Sequence, residues 1–184
     1  LVGKAMDELG LEEWKKGFAR LAALGIKTVK ILGGEPTIKP WLPEIIRSSR
    51  EMGLKTALLS NSLFDDQMLS RLVDAGLWGY YASVDSLQDI NHWDSQTAGK
   101  AKNGFAMLKR LQNTNIPLLA ANIVIHRKNY REVPRLVQRL SDEGFSCNLC
   151  SVQHHSGEER EFSRSDVGDS LRFFPEDRNE LKKL

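Results

Sequence analysis

Hydrophobic residues recur along the chain in two alternating patterns, one typical of amphipathic helices and one of short buried strands. Residues 11–24 carry large apolar side chains on one helical stripe, and Gly25 follows where a C-terminal cap is expected. Residues 27–32 are then β-branched and apolar enough for a buried parallel strand. The beginning of the chain therefore predicts a helix followed by a strand.

The same unit repeats four more times. Further helices are predicted at about 41–52, 65–75, 101–111 and 131–143, and further strands at 54–59, 77–84, 117–125 and 145–152. Strands that alternate with helices indicate a parallel sheet with right-handed crossovers. The pattern predicts an α/β fold, either an open doubly wound sheet or part of a (β/α) barrel.

Composition narrows the function classes only slightly. The 184 residues suit one domain. The formal net charge is +2 and both signs are mixed along the chain, so no excess of basic residues indicates binding to nucleic acid or an acidic membrane. No apolar stretch is long enough to span a bilayer. We therefore expect a cytoplasmic protein without a membrane partner, and the charge does not indicate a nucleic-acid partner. Because helical patterns run to both chain ends, at Leu1 and Leu184, we also expect a piece of a longer protein.

Every predicted strand ends in polar residues, and the carboxyl ends of parallel strands are where such folds bind ligands. The pairs are Gly34 and Glu35, Ser60 and Asn61, Ser83 and Asp85, His126 and Arg127, and Gln153 and His154. Turns are polar in most proteins, which explains part of this pattern. It explains less well why small polar groups interrupt the strand at 83–85. We interpret the strand ends as a rim for a small, hydrogen-bonding ligand.

The turn Gly33-Gly34-Glu35-Pro36 is the most informative of these strand ends. Two glycines let the backbone turn sharply and approach a ligand closely. Glu35 adds a carboxylate acceptor, and Pro36 ends the strand because it has no N–H to donate. The turn is either a ligand site or a plain connection from strand to helix.

Gly33-Gly34-Glu35-Pro36 resembles the turn after the second barrel strand of the radical S-adenosylmethionine (SAM) enzymes. Residues 37–43 continue that likeness, Ser60-Asn61-Ser62 stands where members often have Thr-Asn-Gly, and Ser83-Val84-Asp85-Ser86 is similar to their motif after strand four. The resemblance covers roughly residues 11–155. It implies a partial (β/α) barrel with parallel strands and outer helices.

The resemblance also implies a set of cofactor-binding residues. Gly33, Gly34 and Glu35 would meet the methionine amino group of SAM, with Ser60 and Asn61 near the cofactor or the substrate. Ser83 and Asp85 would face the methionine carboxylate or the ribose, and Asn122 would line the adenine. The strand at 122–125 lacks the Gly-x-Ile-x-Gly-x-x-Glu pattern of some members.

Members of this family also bind a [4Fe-4S] cluster through Cys-x-x-x-Cys-x-x-Cys after their first strand, and this chain contains no such motif. We interpret residues 1–155 as a radical SAM-like core without strand one and the cluster loop. We expect residues 156–184, which are polar and weakly patterned, to lead into a truncated helix. No metal ligand is assigned within this chain.

Cys147, Cys150, His154 and His155 allow a different interpretation, a zinc site of thiolates and imidazoles. However, side chains three residues apart on a regular strand point to opposite faces. We expect core cysteines, with an active-site residue or a metal ligand as alternatives.

By resemblance, the function is one-electron reductive cleavage of SAM, giving methionine and a 5′-deoxyadenosyl radical that abstracts hydrogen from an unknown substrate. This implies an external one-electron donor. An ordinary (β/α) enzyme with Glu35 or Asp85 as acid or base is one alternative. A SAM-binding relative without a redox centre is the other.

Overall fold

The computed structural model describes residues 9–86, 100–151 and 182, and for residues 100–102 it describes the backbone alone. Helices and strands alternate along the described chain. They are α1 (Leu11–Ala23), β1 (Thr28–Ile31), α2 (Leu42–Glu51), β2 (Lys55–Ser60), α3 (Asp66–Asp74), β3 (Gly79–Ser83), α4 (Lys100–Leu111), β4 (Leu118–Ile125), α5 (Val133–Asp142) and β5 (Ser146–Ser151).

These elements are the ones that the hydrophobic pattern predicts, with ends that differ by no more than two residues. The pattern missed a short 3-10 helix, Pro36–Ile38, which directly follows the glycine turn. Its proline occupies the first helical position, where a missing N–H costs nothing.

The strands hydrogen-bond in the order β1-β2-β3-β4-β5, which is also their order along the chain. β1 runs parallel to β2, with Thr28 opposite Lys55, and β4 runs parallel to β5, with Ala120 opposite Ser146. A doubly wound sheet reverses its strand order at a switch point, whereas a (β/α) barrel does not. The observed order therefore favours the barrel topology.

Contacts divide the chain into two compact units. The first unit contains Leu1–Ser60, Phe64–Tyr80 and Thr114–Leu118. Its core joins α1 and α2 to the strands through Phe18, Ile45 and Leu54, each at most 4% exposed. The ring of Trp14 packs against that of Phe18 with centroids 5.7 Å apart. This packing fixes β1, and with it the start of the glycine turn.

The second unit contains Asn61–Leu63, Tyr81–Asn113 and Leu119–Leu184. Its core includes the fully buried side chains of Leu108, Leu111, Ile123, Leu136 and Leu140. Helix α4 lies so close to the end of β3 that a Cβ on Gly104 would be 2.5 Å from the Ser83 carbonyl oxygen. In neither unit is any described helix long and apolar enough to cross a membrane.

Candidate functional site

The glycine turn leaves its backbone exposed at the end of β1. Gly33 has φ +146°, a value that residues with a side chain rarely adopt. A Cβ placed on Gly33 or Gly34 would meet no described atom within 4 Å. The turn therefore borders open space, as a backbone that contacts a ligand must.

Three hydrogen bonds within the first unit orient the carboxylate of Glu35. Its Oε1 accepts from the backbone N–H of Thr37 at 3.1 Å, from the Thr37 hydroxyl at 2.6 Å and from the Ser60 hydroxyl at 3.0 Å. Thr37 is 7% exposed and Ser60 is 2% exposed. Buried partners of this kind fix the carboxylate and also link the turn to the end of β2.

Beside the turn lies a cavity of about 550 Å³ within the first unit. Gly33, Gly34 and Glu35 border it. Most of its wall comes from apolar side chains of α1, β1, α2 and the residue before α2, among them Trp14, Phe18, Val29, Ile31, Trp41 and Ile45. An apolar cavity with a few placed polar groups is the usual form of a small-molecule site.

In the second unit, the end of β3 is bonded to the end of β4. Asp85 Oδ1 accepts from the backbone N–H of Val124 at 2.7 Å. The Ser86 hydroxyl lies 2.8 and 2.7 Å from the two carboxylate oxygens of Glu132. One oxygen of Asp85 therefore has a structural role, in addition to any role toward a ligand.

Asn122 lies at the centre of β4 and pairs in register with Asn148 of β5. Asn148 Nδ2 donates to Asn122 Oδ1 at 2.6 Å, and the Cys150 thiol is 3.8 Å from the same oxygen. Asn148 is absent from our sequence prediction. It could have been found only by knowing the register of β5 against β4, which the hydrophobic pattern does not specify.

His126 is buried at the end of β4, with 3% exposure. Burial, and secondarily the positive charge of Lys128, lower the pKa of His126 from 6.5 to about 4. Its Nδ1 accepts from the backbone N–H of Lys128 at 3.2 Å. The imidazole is therefore neutral at pH 7.

The two cysteines lie on β5 and are half-buried, which is less enclosed than the core position we expected. Burial raises the pKa of the Cys147 thiol. Within the described residues, no group of three or more His, Cys, Asp or Glu side chains could hold a metal ion. His154 and His155, the other members of the zinc interpretation, lie outside the described residues, as does Gln153.

The predicted site residues form two groups, one in each unit. Glu35 and Ser60 are hydrogen-bonded in the first unit. In the second unit, Asn122 accepts from Asn148, and its backbone oxygen accepts from the N–H of Val84, between Ser83 and Asp85. Asn61 Oδ1 accepts from the N–H of Leu63 at 2.9 Å and so shapes its own turn.

The family model of the Radical SAM superfamily matches residues 2–140. The chain belongs to this superfamily. Among curated proteins it is 31% identical to a PqqA peptide cyclase of Bradyrhizobium diazoefficiens, over 80% of this chain and 40% of the relative. It is 28% identical to an Fe-coproporphyrin III synthase of Methanosarcina barkeri, over 74% of this chain and 34% of the relative. The chain thus spans less than half the length of these relatives.

Solved structures agree on the fold. Streptococcus suis SuiB, in a crystal structure with bound S-adenosylmethionine, matches with a TM-score of 0.72 at 15% identity, over 97% of this chain and 40% of SuiB. The coproporphyrinogen III oxidase HemN of Escherichia coli matches with a TM-score of 0.61 at 12% identity, over 94% of this chain and 43% of HemN. These matches confirm the predicted fold class, a partial (β/α) barrel with parallel strands and outer helices, over the doubly wound sheet.

Proposed function

We propose that this chain is the SAM-binding core of a radical SAM enzyme. One observation carries the proposal: the carboxylate of Glu35, held by Thr37 and Ser60, lies at an open Gly-Gly turn in a member of this superfamily. A fixed carboxylate beside exposed backbone carbonyls suits a ligand with an ammonium group. The amino group of the methionine part of SAM is such a group.

Each predicted residue then has a chemical role. Gly33 and Gly34 contribute backbone carbonyl acceptors, and Glu35 contributes the charge that pairs with the ammonium group. Ser60 orients Glu35 by its hydrogen bond. The open turn and the adjoining cavity fit a ligand that has one cationic end and apolar methylene groups.

The second unit carries the other residues that the sequence predicts to bind SAM. Ser83 and Asn61 carry hydroxyl and amide donors suited to the carboxylate of SAM, and Asp85 carries a carboxylate suited to accept from the ribose hydroxyls. Asn122, together with Asn148, offers amide groups to the adenine, a base that amides recognise well.

The family motif for the iron–sulfur cluster contains three cysteines, whereas this chain contains two. Its two cysteines, Cys147 and Cys150, do not form Cys-x-x-x-Cys-x-x-Cys, and both lie on β5 rather than in a loop. The residues present do not fit the cluster, and we derive no step through it. SAM, if bound and reduced by one electron, would lose methionine by cleavage of a carbon–sulfur bond, and the carbon radical so formed would remove a substrate hydrogen.

We further propose a peptide as the substrate class to test first. PqqA peptide cyclases of several bacteria match this chain at 28–34% identity. An Fe-coproporphyrin III synthase and a GTP 3′,8-cyclase also match, at 28% and 27% identity. Porphyrins and nucleotides are therefore the substrate classes to test after peptides.

The first experiment titrates SAM into the full-length protein and its Glu35→Ala variant by calorimetry. Loss of a charge-assisted hydrogen bond costs about 1.5–3 kcal/mol, which corresponds to a roughly 10- to 150-fold weaker affinity. Glu12→Ala is the matched control, because Glu12 is exposed on α1 and pairs only with Lys15 in the described structure. Equal affinities for Glu35→Ala and wild type would contradict the proposed site.

A further inference from the structure

Asn129 forms side-chain hydrogen bonds to three different parts of the second unit. Its Nδ2 donates to the backbone oxygen of Asp85 at 3.1 Å and to that of Val124 at 2.9 Å. Its Oδ1 accepts from the backbone N–H of His126 at 2.8 Å. An asparagine that only shaped its own turn would need the last of these bonds alone.

Asn129 therefore joins the ends of two neighbouring strands. Asp85 follows β3, Val124 belongs to β4, and Asp85 Oδ1 in turn accepts from the N–H of Val124. Asn129, Asp85 and Val124 thus form a closed set of hydrogen bonds, and the bond from the Val124 N–H is the one that reaches the Asp85 carboxylate. Asn129 is 3% exposed, so its side-chain amide is shielded from competing water.

We propose that Asn129 is a positioning residue for the ligand site at the end of β3. It acts through Asp85: by fixing the Asp85 backbone against β4, it sets where the carboxylate of that residue points. Binding sites lose affinity when supporting hydrogen bonds of this kind are removed, because the contacting group is no longer held in place. This inference rests on the proposed SAM-binding function.

The test compares the full-length wild-type protein with Asn129→Asp. The aspartate keeps the acceptor for the His126 N–H and loses both donations. We expect about tenfold weaker SAM binding by calorimetry, and faster hydrogen exchange of the Val124 amide by NMR. Gln138→Ala is the control, because Gln138 is an exposed amide on α5 that bonds to Asp142. It should leave both measurements unchanged.

A double-mutant cycle with Asp85→Ala separates positioning from a purely structural role. If Asn129 acts through Asp85, the second substitution adds little to the loss of SAM affinity caused by the first. Additive losses, or a lower melting temperature with unchanged affinity, would overturn the proposal. Failure of both Asn129→Asp and Asn129→Ala to fold would also overturn it, because Asn129 would then be required for folding rather than for positioning Asp85. A wild-type protein that binds no SAM would instead contradict the proposed function itself.

Discussion

His126 shows at the residue scale how a polar strand end becomes part of the protein interior. The sequence placed it on a ligand-binding rim, yet it is buried, with a pKa lowered to about 4 by that burial. A buried neutral imidazole stabilises the fold only while it remains uncharged. Its effect on stability should therefore depend on pH.

We predict that His126 makes the protein less stable as the pH falls below 6.5. The unfolded chain takes up a proton near pH 6.5, whereas the folded protein does not do so until about pH 4. The free energy of unfolding should therefore fall between these two values, by about 1.4 kcal/mol per pH unit. The loss should stop below the lower value.

Urea unfolding of wild type and His126→Gln at pH 7 and pH 5 measures this contribution. Between these conditions, wild type should lose about 2 kcal/mol more than the variant. Other titrating groups are common to both proteins and cancel in the difference. An identical pH dependence in the two proteins would show that His126 is not held neutral.

At the scale of elements, the close contact between α4 and β3 depends on a residue without a side chain. A methyl group on Gly104 would meet both the Ser83 carbonyl oxygen and a side-chain carbon of Val84, at 2.5 and 2.8 Å. Because the backbone of β3 cannot move aside without disturbing its neighbouring strands, the helix must shift instead.

We predict that Gly104→Ala destabilises the protein by about 1–3 kcal/mol, the usual cost of overpacking. Gly17→Ala in α1 is the matched control, since its Cβ would meet nothing within 4 Å. Alanine there should stabilise the protein by up to about 1 kcal/mol, because it is the better helix former. Chemical denaturation of both variants checks the prediction, and a stabilised Gly104→Ala would contradict the close packing.

Local pattern predicted the elements well because each helix and strand carries its own periodicity, and a glycine follows four of the five described helices. The hydrophobic pattern did not predict the 3-10 helix at Pro36–Ile38, because this helix depends on the Glu35 side chain accepting from the N–H of Thr37. The roles of Asn129 and Asn148 were not predicted for a different reason. Their roles arise from bonds across neighbouring strands, over 44 and 26 residues of sequence, and the register that creates such bonds is set by the folded sheet.

Of the proposed site, the glycine turn is the part that the sequence predicted in most detail. Gly33, Gly34 and Glu35 were identified from residue chemistry and family resemblance, and the structure shows an open turn with an oriented carboxylate. For Asp85, the bond to the Val124 N–H was not anticipated. A carboxylate at a strand end looks the same in sequence whether it bonds a ligand or the neighbouring strand.

At the scale of the whole molecule, strand order and family membership both support a radical SAM (β/α) barrel. Five strands follow one another without reversal, and the Radical SAM model matches residues 2–140. The relatives are more than twice as long as the part that this chain matches, with 40% of the cyclase covered. The complete reaction therefore has to be tested on the full-length protein.

The most direct measurement is the fate of SAM in the anaerobically reconstituted full-length protein after one-electron reduction with dithionite. Our account predicts 5′-deoxyadenosine and methionine in equal amounts, with strongly reduced yield in Glu35→Ala. If SAM binds and is recovered intact from a protein that carries its cluster, the chain is a SAM-binding relative without radical chemistry, and the central claim is wrong.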